Sequence, residues 1–208
     1  MYLQFSMMSR RPLAGGLLVL TLLTTGCGDT DSDGPSSERL SERPPDAVRQ
    51  AVEDSIAAIN QMRISLAATI DTPSVDKSTF KRVCAPVGKR AKTLGKTKNW
   101  TVQQLAEKYR NPNHTLDAEA REFYETFSSS PDTTDLWVRT ARNGVDGWRY
   151  ARRITVQHSC LACHGPKEQR PDFVKNGYPD DRAYGFDAGD LRGLYAVFVP
   201  DSTVTGAP

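Results

Sequence analysis

The chain of 208 residues is poor in the side chains that bind metals through sulfur and nitrogen, with four cysteines and three histidines. A zinc ribbon needs two closely spaced cysteine pairs at matching spacing. Here only Cys160 and Cys163 form such a pair, whereas Cys27 and Cys84 stand alone. The scarcity of cysteine therefore excludes a zinc ribbon.

The sequence also lacks an excess of charge of one sign and a hydrophobic run long enough to span a membrane. Its main apolar run, residues 13–23, has the length of a signal-peptide core. Arg10 and Arg11 precede that run, and without them the basic and acidic residues balance at 25 each. Because nucleic-acid binding needs a strongly basic domain, we expect no nucleic-acid partner.

The apolar run ends in the stretch 23–27, where Thr24, Thr25 and Gly26 precede the lone Cys27. This is similar to the lipobox of bacterial lipoproteins and predicts residues 1–26 as a lipoprotein signal peptide. Cys27 would then be diacylated and would anchor the chain to a membrane. An ordinary secretory signal is the alternative. Gly28 lacks the acidic side chain that retains such proteins in the inner membrane, so we expect the periplasmic side of a bacterial cell envelope, with the outer membrane favoured.

Residues 27–45 are rich in Asp, Ser, Pro and Gly and have too few apolar side chains to form a core, so they are predicted to be a flexible tether. Residues 46–208 are predicted to form one α+β domain with an antiparallel sheet and helices at its front. An amphipathic pattern predicts a long helix from Asp46 to Ile70. A second helical pattern places four side chains on one buried face, namely Phe80, Val83, Cys84 and Val87.

The remaining elements are predicted from propensity and turn signals. Residues 101–107 are expected to form a short capped helix, and residues 117–127 an amphipathic one. Three β-prone runs follow at 136–138, 148–156 and 194–199, and Asn143-Gly144 with Asp146-Gly147 supplies hairpin turns. A long loop, 165–189, precedes the last strand.

The run Cys160-Leu161-Ala162-Cys163-His164 predicts one covalently bound haem c. Two thiols at this spacing can add to the two vinyl groups of a porphyrin, and the adjoining His164 imidazole becomes the proximal iron ligand. A thioredoxin-type redox pair would need a cytosolic βαβ context, and a structural disulfide between Cys160 and Cys163 would leave His164 without a role.

Four side chains are candidates for the distal iron ligand. Cys84 is a leftover thiol in a chain that is predicted to be exported, a situation that calls for an explanation. The other candidates are Met62, His114 and His158. Arg110 and Arg192 are candidate contacts for haem propionates, because guanidinium groups form charge-assisted hydrogen bonds with carboxylates.

Several short patterns, in their order along the chain, resemble a family of exported single-haem c-type domains with a PAS-like fold and a cyanobacterial type member. The patterns are Val83-Cys84, Arg110-Asn111-Pro112 with Asp117, residues 150–154, residues 160–165 and residues 189–193. The resemblance implies a PAS-like α+β fold. It also implies that His164 and Cys84 are the two iron ligands.

A low-potential electron carrier is the first expected function, because a thiolate ligand favours Fe(III). A haem-based redox or gas sensor that signals through a partner protein is the alternative, and a small peroxidase is a third. Both main functions need an unidentified redox or signalling partner. The run 77–98 has eight basic residues and no acidic one. It is either a solvated helix face or a docking patch for an acidic partner, anionic lipid or the haem propionates.

Overall fold

Two long helices, α1 (Asp46–Ala67) and α2 (Lys77–Lys98), lead into a four-stranded sheet in the computed structural model, which describes residues 43–70 and 75–204. The elements that follow are β1 (Thr101–Leu105), α3 (Ala118–Ser129), β2 (Asp135–Arg142), β3 (Val145–Thr155), α4 (Leu161–His164), α5 (Asp172–Gly177), β4 (Leu191–Pro200) and α6 (Asp201–Val204). Single 3-10 turns occur at Pro112–His114, His158–Cys160 and Lys167–Gln169.

The sheet is antiparallel throughout, with the strand order β1-β4-β3-β2. β2 and β3 form the hairpin that the Asn143-Gly144 pair predicts. Both turn residues have positive φ, 52° for Asn143 and 75° for Gly144, which matches the twist of the flanking strands. The predicted turn at Asp146-Gly147 is wrong, because both residues lie in β3 and pair with β2. The α+β fold class and the three predicted strands are confirmed.

Side chains cover both faces of the sheet, because successive residues of a strand point to opposite sides. On one face α1 and α2 pack against the sheet through a cluster that consists of Val52, Ile56, Ile59, Val87, Ala91, Leu94, Trp137, Tyr150, Ile154, Tyr195, Val197 and Val199. On the other face α3 covers a second cluster, Leu105, Leu116, Ala120, Phe123, Phe127, Val138, Ala151, Leu194 and Ala196. The central strand β4 is buried on both faces and therefore has a continuous apolar sequence.

The predicted helix at 101–107 is wrong, because the structure has strand β1 there. β1 pairs with β4, with Val102 opposite Val197 and Leu105 opposite Leu194. Gln103 and Gln104 have good helical propensity, but a seven-residue helix is marginal by itself. Pairing with the buried strand β4 satisfies the backbone groups of β1 and outweighs that local preference.

α2 differs from its prediction in one respect. The helix runs continuously from Lys77 to Lys98, with Pro86 inside it. Val83 and Val87 are buried as predicted, whereas Cys84 is exposed, so its placement on the buried face is wrong. Cys84 is exposed because its side chain lines a cavity beside α2. The Asp76 carboxylate caps the helix start and accepts a hydrogen bond from the Thr79 backbone N–H at 2.8 Å.

The predicted signal peptide (1–26), the lipidation site Cys27 and the tether up to residue 42 lie outside the described residues. Asp46 is the first residue of α1, and Pro45 precedes the helix. Within 43–70 and 75–204, no helix has the length and apolar character that a membrane crossing requires.

Candidate haem-binding site

A cavity of about 400 Å³ lies between α1, α2, β1, the end of β3 and the loop that carries α4. This volume is within the usual range of ligand pockets, about 300–1,000 Å³. Much of its wall is apolar, formed by Phe80, Val83, Val87, Leu105, Ile154 and Val156. Its reactive and charged side chains are Cys84, Arg110, His114, Cys160, Cys163, His164 and Arg192. The structure therefore brings together in one cavity the predicted haem-attachment residues, both candidate propionate contacts and two of the candidate distal ligands.

His164 is the last residue of α4, and its imidazole is held by the loop that follows. Nδ1 lies 2.7 Å from the Ala183 carbonyl oxygen, which can only accept, so Nδ1 is the nitrogen that carries the proton. The lone pair is then on Nε2. Burial, followed by the charges of Arg192 and Arg110, lowers the pKa of His164 well below its usual value. A neutral imidazole with a fixed tautomer is the form that binds a metal.

Cys160 and Cys163 are separated by one helical turn, which places both thiols on the same side of the chain next to His164. Both side chains are half-buried and line the cavity. Arg110 fixes this turn, because its Nη2 donates to the Cys163 carbonyl oxygen at 2.8 Å.

Cys84 faces the cavity from α2. Although the side chain is exposed to the cavity, the surrounding protein atoms desolvate its thiol and raise the pKa to about 11, and the nearby Cys163 and Cys160 thiols contribute to the increase. Arg110 and Arg63 oppose this shift. Cys84 lines the same cavity as Cys160, Cys163 and His164.

Asp181 is the buried acid that orders the loop after the motif. Its carboxylate accepts hydrogen bonds from Arg110 at 3.3 Å, from Arg170 at 2.6 Å and from the Ala183 backbone N–H at 3.0 Å. Ala183 in turn accepts from His164. Asp181 therefore positions His164 through the backbone of Ala183, and Arg110 is tied into the same network.

Arg192, at the start of β4, has few partners for its charge. Its Nη1 donates to the Lys108 carbonyl oxygen at 2.9 Å, and its guanidinium lies 5.4 Å from the centre of the Phe186 ring. Burial and the charge of Arg110 lower the pKa of Arg192 to about 10. None of the ion pairs found in 43–70 and 75–204 includes Arg192.

The other candidate distal ligands lie in different places. His114 lines the cavity, whereas Met62 and His158 do not, and His158 is exposed. Burial lowers the pKa of His114, and the charges of Arg192 and Lys92 add to that effect. The cavity thus contains two of the four candidates, Cys84 and His114.

Comparison with known proteins supports the resemblance. The model of the Tll0287-like family matches residues 41–200. The chain belongs to the Tll0287-like family. It is similar to the crystal structure of the cyanobacterial heme-protein Tll0287, with 45% sequence identity and a TM-score of 0.68, over 75% of this chain and 96% of that one. No curated protein matches the chain.

The cavity of this Tll0287-like chain fits the group that its motif predicts. Gly88 lines the cavity in the middle of α2, and a Cβ built there would have no neighbouring atom within 4 Å. Ala85 also lines the cavity. Because Ala85 and Gly88 have small side chains, a flat molecule can lie against this part of α2. The apolar wall suits a porphyrin ring, and the unpaired charge of Arg192 suits a propionate.

Two residues of this site were missed by the sequence analysis. Gly88 gives a recognisable signal, because glycine in a helix interior costs about 1 kcal/mol relative to alanine and so indicates a packing or functional reason. Asp181 gives none, because its neighbour Asp180 has the same side chain in the same loop. Only the structure shows that Asp181 is buried and Asp180 is exposed.

Proposed function

We propose that this protein binds one covalent haem c and carries electrons at low potential outside the cytoplasm. The observation that supports this most is that Cys84, distant in sequence, lines the same cavity as Cys160, Cys163 and His164. The similarity to a cyanobacterial heme-protein at 45% identity agrees with haem binding. Haem, when bound, supplies reversible one-electron chemistry.

The chain's own residues divide the work of holding the group. The thiols of Cys160 and Cys163 would hold the haem through thioether bonds, and Nε2 of His164 would bind its iron. Asp181 and Arg110 hold the turn and the imidazole in place. Arg192 provides a positive charge for a propionate.

Cys84 is the proposed distal ligand. Its thiol has a raised pKa without a metal, but coordination removes a thiol proton outright. Thiolate ligation favours Fe(III) and so a low potential. With His164 and Cys84 as ligands, no coordination position is left for a substrate, which supports a carrier over an enzyme.

Location and anchoring are part of the same proposal. The signal-peptide pattern (1–26) and Cys27 support export and diacylation, and attachment of c-type haem takes place outside the cytoplasm. Cys27→Ser should release the protein from the membrane fraction into the soluble periplasmic fraction without loss of haem. Retention of the variant in the membrane would contradict the lipid anchor.

Haem attachment and ligation can be tested separately. On a denaturing gel, wild type and Cys84→Ser should both retain haem, whereas Cys160→Ala with Cys163→Ala should lose it. EPR spectra should then show a low-spin thiolate signal in wild type that is absent in Cys84→Ser. A high-spin spectrum that does not change in Cys84→Ser would contradict the ligand assignment.

A sensor function is the second candidate, and the position of His114 favours it. His114 lines the cavity together with Cys84, so the chain offers two possible ligands there. A ligand exchange that accompanies a change of redox state would shift the protein between two conformations. Rapid binding of CO to wild type, with loss of the thiolate signal, would support the sensor, and slow or absent binding would support the carrier.

A further inference from the structure

The exposed side of α2 carries positive charge that is not neutralised within the fold. α2 contains eight basic residues and no acidic residue. None of the ion pairs in the described ranges, 43–70 and 75–204, includes any of the eight. Like charges on one helix repel each other and lower its stability. A negatively charged partner would relieve that repulsion.

Four of these side chains form a row, called here the basic stripe: Lys81, Lys89, Lys92 and Lys96. All four are exposed. Residues three, four and seven apart share one face of a helix, and the positions that continue this row between Lys81 and Lys92 are Ala85 and Gly88. Ala85 and Gly88 line the cavity. The basic stripe therefore borders the wall of the cavity.

The stripe lies on the same helix as three residues that line the cavity, Cys84, Ala85 and Gly88. A negative surface placed on the stripe would thus lie beside the cavity wall. This position suits a partner that exchanges electrons with a group bound in the cavity.

The surroundings of the stripe favour a protein over a lipid surface. A helix that binds a membrane exposes large apolar side chains beside its basic residues. On α2, Val83, Val87 and Leu94 are buried. Across the part of the chain that the structure describes, the one exposed large hydrophobic side chain is Val145, in the β2–β3 hairpin.

We propose that the basic stripe docks the acidic face of a one-electron redox protein. The docked partner places its redox centre against the wall formed by Ala85 and Gly88. One electron is then exchanged between the two proteins, and no bond forms or breaks. This inference rests on the proposed haem-based electron transfer and specifies the chemistry of its partner.

Voltammetry of the haem-loaded protein tests the docking surface, with a carboxylate-terminated monolayer as the probe for an acidic face and a hydroxyl-terminated monolayer as the reference. The stripe variant is Lys81→Gln with Lys89→Gln and Lys96→Gln. Its matched control removes three exposed charges outside α2, Arg43→Gln with Lys167→Gln and Lys175→Gln. Wild type and control should prefer the carboxylate surface at low salt, and the stripe variant should lose about tenfold in electron-transfer rate there. High salt should abolish the preference.

The outcomes separate the inference from the function on which it rests. Absence of a reversible wave on both surfaces would overturn electron transfer itself, and the docking surface with it. A normal wave with equal losses in the stripe and control variants would overturn the docking surface alone. Stripe-dependent binding to phosphatidylglycerol vesicles, without preference for the carboxylate electrode, would assign the stripe to the membrane and also overturn the proposal.

Discussion

Arg149 of β3 and Arg192 of β4 lie on adjacent strands. Carboxylates neutralise the charge of Arg149, whereas Arg192 has no carboxylate partner among the described residues. Arg149 is fully buried and forms hydrogen bonds of 2.7 Å to both oxygens of Asp117 and of 2.8 Å to Glu119. Burial lowers its pKa, but these carboxylates raise it more, so the pKa is raised overall. Arg192 lines the cavity with a carbonyl as its hydrogen-bond acceptor, and its pKa is lowered to about 10.

The difference shows in which region of the fold the protein's own residues neutralise a buried charge. On the α3 side of the sheet, the sequence places Asp117 and Glu119 at the start of a helix, where they neutralise Arg149. In the cavity, Arg192 retains a positive charge that is costly without a counter-ion. A carboxylate of a bound ligand, such as a haem propionate, would provide that counter-ion.

Removal of the neutralised arginine should have the largest effect. Arg149→Met leaves Asp117 and Glu119 without their partner, and because both acids are partly exposed we expect a loss at the lower end of the range for broken buried pairs, about 3 kcal/mol. The loss should be the same for the apoprotein and the haem-loaded protein in urea denaturation. Arg121→Met, at an exposed pair with Glu107, is the control and should cost less than about 1 kcal/mol.

Removal of the unneutralised Arg192 should lower the stability of the haem-loaded protein but not that of the apoprotein. Arg192→Gln is expected to change the stability of the apoprotein by less than about 1 kcal/mol. The haem-loaded protein should lose about 1.5–3 kcal/mol, the range for a hydrogen bond to a charged group. The measurement is the difference in Tm between the two forms, with the exposed Arg182→Gln as control. An equal loss in both forms would make Arg192 a structural residue like Arg149.

A change at Gly88 tests whether the space beside α2 belongs to the ligand. Gly88→Ala should stabilise the apoprotein by about 1 kcal/mol through helix propensity. Gly88→Leu should keep that gain, but its longer side chain enters the cavity, so the fraction of chains with attached haem should fall severalfold. Absorbance of the haem relative to protein measures this fraction. Full haem attachment in Gly88→Leu would mean that the group lies elsewhere.

The sequence predicts the parts of this site that depend on short spacing. The Cys-x-x-Cys-His motif, the Asn143-Gly144 hairpin and the continuous apolar strand β4 are each defined by neighbouring residues. The exposure of Cys84 was not predictable, because helical periodicity identifies a face but cannot show where the packed neighbour ends. A cavity at that position turns a side chain of the apolar face into one of its lining residues.

Long-range pairing accounts for the other difference. The segment that became β1 is too short for its helical propensity to be decisive, and its partner β4 lies about ninety residues later in the chain. The same holds for Asp181, which gains its role from Arg110 and Arg170 in the folded loop. Neither contact leaves a local pattern in the sequence.

The smallest expected effect is a change in the pKa of His114 when the charge of Arg192 is removed. The pKa of His114 in the apoprotein should lie below the usual 6.5, and Arg192→Gln should raise it, whereas Arg149→Met should not. NMR titration of the imidazole measures this. The unfolded chain binds this proton more tightly than the folded one, so the contribution to stability is complete above pH 6.5 and is lost as pH falls through the folded pKa. An unchanged His114 pKa in Arg192→Gln would show that the charge of Arg192 does not contribute to lowering it.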